Sequence, residues 1–126
     1  MPISTPHYRP ATDITGRATG GPVVGCRFVK CVGPKVNGGN IPVAHAGAAD
    51  EPIGIAERDV AQDQVVRFFT DGFVTPAQAN GSIAAGAAVQ LAADGKVAPY
   101  TSGRKVGVAL QSAAANNDLI LIQIQL

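Results

Sequence analysis

The chain writes one phrase twice, and that repetition limits its fold more than any other feature. PIGIAERDVAQDQVVRFF, residues 52–69, is answered by KVGVALQSAAANNDLILIQI, residues 105–124. In each, a short apolar run with a central glycine passes through a polar connection into a β-branched or aromatic run, the texture of a strand. Upstream the order recurs as well. Residues 86–91 parallel residues 25–30, the turn at 93–96 takes the place of Gly38 and Gly39, and residues 97–100 take the place of 41–45. Four features in one order predict two copies of a single unit, residues 23–74 and 83–126. Residues 75–83 (TPAQANGSI) would join them, with a helical turn in the join.

Each unit reads as a few short antiparallel strands linked by glycine-bearing turns. A unit of that size leaves one apolar face open and is marginal alone, so two copies should close each other off. The glycine of each phrase, Gly54 and Gly107, leaves a gap on its strand and suggests a close backbone approach made twice. In the last strand Ile120, Ile122, Ile124 and Leu126 share one face. The other face runs from Leu119 and Leu121 to Gln123 and Gln125 and should begin buried on both sides before ending at an exposed edge. The expected fold is all-β, a compact barrel-like domain of two similar antiparallel units.

Residues 1–22 differ in texture. Four prolines and three glycines lie among polar residues with no apolar period, which predicts an extended arm outside the core. Ordering a backbone costs roughly 1–2 kcal/mol per residue. Ile3, Tyr8 and Ile14 cannot offset that, so the arm should order on a partner, through Ile3, His7, Tyr8, Arg9, Asp13, Ile14 and Arg17. Removing residues 1–20 should then leave the fold intact.

At 126 residues the chain is one domain's worth. Its net charge of +1 argues against electrostatic capture of nucleic acid. Residues 1–36 nevertheless carry Arg9, Arg17, Arg27, Lys30 and Lys35 against Asp13 alone, while residues 50–71 hold six acidic side chains against Arg58 and Arg67. Such a basic end and acidic middle could favour head-to-tail contact with copies or partners, or be an ordinary solvated surface. Residues 1–10 lack the apolar stretch of a signal peptide, and no run is long enough to span a bilayer, so no membrane partner is expected.

Candidate chemistry fails on spacing. Asp94-Gly95-Lys96 lacks the first glycine and the hydroxyl of a phosphate loop. Cys26, Cys31, His7 and His45 have loose zinc spacing, and a Cys–His nucleophilic pair would lack an orienting group. A mutual disulfide is not expected, since the cysteines should point to opposite faces. Glu57, Asp59 and Asp63 lack the central glycine and terminal Glu of a calcium loop. Phe28 between Arg27 and Lys30 is a thin basis for stacking nucleic-acid bases. No catalytic residue, metal or cofactor is expected, and the chain does not read as an enzyme.

The ordered series VVGCRFV, PIGIA, VVRFFTDG, IAAGAAVQ, DGKV, VGVAL and DLILIQI resembles a family of small tailed-phage proteins that act as capsid decoration (cement) proteins. Some members carry a RecA/RadA-type recombinase label, which the missing phosphate loop does not support here. The resemblance covers residues 23–126. It implies a β-tulip-like fold, a place on the outside of the virion capsid, the major capsid protein as partner, and homotrimers. Alternatives are another virion component, such as a head–tail connector or fibre base, and a nucleic-acid-binding phage protein.

Overall fold

The computed structural model describes residues 14–34 and 40–126. Apart from a 3-10 turn at Ala93–Gly95, the regular elements there are all strands. The first five are β1 (Ile14–Ala18), β2 (Phe28–Cys31), β3 (Ile41–His45), β4 (Gly54–Ala56) and β5 (Val65–Phe69). They close into a barrel in the order β1-β3-β2-β4-β5, with β1 parallel to β3 and antiparallel to β5. The next five are β6 (Val74–Gln78), β7 (Ala88–Leu91), β8 (Val97–Pro99), β9 (Lys105–Ala109) and β10 (Leu119–Ile124). These form a sheet in the order β6-β10-β9-β7-β8. Each strand of the sheet holds the place that the strand five before it holds in the barrel. The second sheet stops short of full closure, its ends touching only through a parallel bridge between Ala79 and Val97. The same contact in the first unit is Ala18 to Val43, one rung of a complete ladder.

Three expectations are corrected. The arm was expected to run through residue 22, but Ile14–Ala18 is a barrel strand with Ala18 wholly buried. Its place is set by backbone pairing to neighbours on both edges, which needs no apolar period in the side chains. Deleting residues 1–20 would therefore open the barrel. Residues 1–13 lie outside the described residues. The join at 75–83 is likewise mostly strand β6, the counterpart of β1, and not a helical turn. Pro76 fits because β6 is laddered along one edge only, to β10.

The third correction is one of register. Aligning Gly86 with Gly25 is wrong by one residue. The Gly86 N–H donates to Ala109 O at 2.7 Å, and it is the Cys26 N–H that makes the matching bond, to Ala56 O at 2.9 Å. Both residues take the left-handed backbone conformation, φ 84° and 62°. A slip of one residue would turn every side chain of the strand to the wrong face. The glycines of the repeated phrase do match. A Cβ on Gly54 would lie 2.3 Å from Phe69 O, and one on Gly107 the same distance from Gln123 O.

The core has two parts. Val23, Val29, Val43, Ala56, Val66 and Phe68 fill the barrel. Ile83, Val89, Leu91, Val97, Ile120, Ile122 and Ile124 line the second sheet, and there Phe28, Ala46 and Ile55 of the first unit join them. Strands β2 and β4 are thus buried on both faces, Val29 and Ala56 inward, Phe28 and Ile55 towards the second unit. Arg27 Nε donates to Gln78 Oε1 at 2.7 Å and the Gln78 N–H to Cys26 O at 2.9 Å, fixing this contact.

Candidate functional site

Of the residues expected to bind a partner, Ile3, His7, Tyr8, Arg9 and Asp13 lie outside the described residues. Ile14 and Arg17 sit on β1, three residues apart and so on opposite faces. Ile14 turns into the barrel mouth, where it lines an apolar cleft of about 270 Å³ with Cys31, Gly33, Ile41, Ile53 and Phe68. Arg17 faces outward, its Nη1 donating to Asp63 O at 2.9 Å. The two do not form one surface.

Several charged residues of the first unit are tied within the chain. Lys30 Nζ reaches Asp50 Oδ2 at 2.9 Å, and that hydrogen bond, with one from the Gly47 N–H, holds the Asp50 carboxyl below its ordinary pKa. Arg67 pairs with Glu57 and lowers that carboxyl's pKa in the same way. Asp59 Oδ1 accepts from the Gly25 N–H at 2.7 Å, pinning the loop before β2. Ser112 accepts from the Ala85 N–H at the same place in the second unit. Glu57 and Asp59 of the acidic series are therefore spent on local ties, while Asp63 meets Arg17 through its backbone carbonyl.

The cysteines and histidine stay apart in role. Cys26 and Cys31 are free thiols, and burial, then Asp59, pushes the Cys26 pKa up. His45 Nε2 accepts from the Val24 N–H at 2.8 Å, so the half-buried ring serves the fold instead of meeting solvent. Burial, then Arg27, lowers its pKa. Among the described residues no group of three or more His, Cys, Asp or Glu could hold a metal ion. Phe28 is wholly buried, which removes it as a stacking platform for bases. Gly95 packs against the Phe28 backbone, so the Asp94-Gly95-Lys96 turn is part of the contact between units.

The residues that reading the sequence missed lie on the outer face of the second sheet. Leu119, expected to be buried, is 59% exposed; Val74 is 53% and Leu110 47% exposed. Pro76 on β6 stands opposite Leu121 on β10, and on the other side Leu110 follows β9 with its N–H donating to Leu121 O at 2.8 Å. A row of apolar side chains thus crosses three strands. The signal lay in the repeat itself, because Leu110 and Leu121 stand where Glu57 and Arg67 stand in the first copy.

The sequence profile of the phage cement proteins matches residues 14–124. The chain belongs to the phage cement protein family. No curated protein matches it significantly. Among solved structures it is similar to the N base of the head fiber gp8.5 of bacteriophage phi29, with 20% identity and a TM-score of 0.72. The likeness covers 90% of this chain and 93% of that one, and at this identity it is a likeness of fold. This cement protein is a structural component of the phage head, with its place in the virion capsid.

Proposed function

We propose that this cement protein decorates the exterior of the assembled shell as a β-tulip-like homotrimer, made in the host cytoplasm and bound to the major capsid protein. It bridges adjacent subunits, so separating them requires breaking its contacts too. It catalyses nothing. Residues 1–13, with Ile3, His7, Tyr8, Arg9 and Asp13, reach onto the shell, where adding a strand to an exposed edge would suit so short a segment. Binding to the assembled state alone stabilises that state by mass action, and the effect multiplies over many copies.

The observation that carries this reading is the family match over residues 14–124. The ties of Lys30 to Asp50, Arg67 to Glu57 and Asp59 to the Gly25 N–H support it, since those charges hold the first unit's own loops. The test is pelleting of the purified protein with expanded empty shells, and the heat resistance of those shells with and without it. Shells that neither bind nor gain resistance end the reading. A second reading, favoured by the likeness to the phi29 fiber base, makes the chain the base of a head fiber. Particle images separate the two: a fiber base carries a shaft projecting above this domain, whereas a decoration protein ends at it.

A further inference from the structure

The apolar row on the second unit has a counterpart that shows it is not a demand of the fold. In the first unit the same three positions hold Thr15, Arg67 and Glu57. Arg67 stands opposite Thr15, and the Glu57 N–H donates to Arg67 O at 2.9 Å, as Leu110 does to Leu121. There the row carries an ion pair. In the second unit the same backbone carries Pro76, Leu121 and Leu110, flanked by Val74 and Leu119. A single exposed leucine needs no explanation, but a contiguous apolar row, exposed at Val74, Pro76, Leu110 and Leu119 and half-buried at Leu121, marks a contact surface.

What can cover it follows from charge. Residues 72–92, 106–117 and 119–126 contain no Asp, Glu, Lys or Arg. Where copies of a chain meet about a rotation axis, residues near that axis face their own counterparts. A charged residue there meets its own charge, and like charges across an interface are penalised. An uncharged apolar row meets its copies without that penalty and gains from the area it removes from water. The first unit's row, with Arg67 and the neighbouring Arg58, would bring its own like charges to such an axis. We propose that copies of this chain associate about a rotation axis through Val74, Pro76, Leu110, Leu119 and Leu121. This rests on the homotrimer in the proposed function and not on shell binding.

The test is sedimentation velocity of the full chain over a range of concentrations. The double variant Leu110→Glu/Leu121→Arg installs the pair that the first unit already carries at these positions. It should keep the wild-type unfolding midpoint and lose association by tenfold or more. Leu119→Gln/Leu121→Gln, which extends the pattern of Gln123 and Gln125, is the second variant should the first fail to fold, and should weaken association likewise. Glu57→Leu/Arg67→Leu in the first unit should leave association unchanged. A wild-type chain that stays monomeric throughout overturns the proposal, as does a folded row variant that associates like wild type. A row variant that associates normally but no longer pellets with shells also overturns it, by assigning the row to the shell. Shell binding that fails while wild-type association depends on the row ends only the decoration reading.

Discussion

The two units share a backbone plan and differ in how they end. The first closes its barrel, with β1 laddered to β3 and β5, and its outer row holds an ion pair. The second leaves its sheet ends joined by one bridge, borrows Phe28, Ala46 and Ile55 to complete its core, and shows leucines on the matching row. The first unit is thus closed on itself, and the second completes its core with residues of the first. Gly54 and Gly107, which meet a carbonyl at the same distance, are shared, while the outer row diverges from an ion pair to leucines.

The harshest test of the equivalence is Phe28→Ala. Truncating a buried phenylalanine costs about 3–5 kcal/mol. Because Phe28 belongs to the second unit's core, denaturant unfolding should remain one transition with a lowered midpoint. Two separated transitions would show that the units are independent. Next come Gly54→Ala and Gly107→Ala, where the new methyl would meet a carbonyl oxygen at 2.3 Å in both. Each should cost about 3 kcal/mol, within the range of severe single substitutions. Gly54→Ala should be the worse, since Phe68 Cδ2 also stands 2.8 Å away. Tolerance at either site, read from urea midpoints, would break the match between the phrases.

A gentler pair sharpens the comparison. Gly86→Ala forces a side chain into the left-handed region and should cost about 1 kcal/mol. Cys26→Gly should fall within about 1 kcal/mol of neutral, since relief at Cys26 is offset by the freedom glycine loses on folding. The smallest effect is that of His45, whose counterpart Pro99 does not titrate. With its pKa lowered, the folded chain binds fewer protons than the unfolded chain near the histidine's ordinary value of 6.5. Its contribution is complete above that pH and is lost as pH falls through the lowered folded value. The Val24 N–H bond to Nε2 requires the neutral ring. Urea midpoints at pH 7.5 and 5.5 should therefore differ less for His45→Gln than for wild type.

The repeat was legible because PIGIA and KVGVA need the same glycine for the same backbone contact, and because β5 and β10 carry strong β-formers. The strands β1 and β6 were not legible. ITGRA and VTPAQ hold their places through ladder partners tens of residues away, and local texture does not record such partners. The slip between Gly25 and Gly86 has a related cause: glycine marks a left-handed residue in one copy, and cysteine fills that place in the other. The surface row escaped notice because leucines in a final strand suggest burial when each copy is read alone. Setting Leu110 and Leu121 against Glu57 and Arg67 is what exposes it.

The joining of Phe28 and Ile55 to the second unit's core also gives the molecule a direction in time. The barrel cannot close until β5 is made, because β1 waits for Phe68 to face Ile14. Should it close first, it would present Phe28 and Ile55 as a wall to β7 to β10. Chains grow at about 5–20 residues per second and domains tend to fold from the N-terminal side. The first unit can then act as a template on which the second is laid down, and damage to that wall would slow the folding of the second unit.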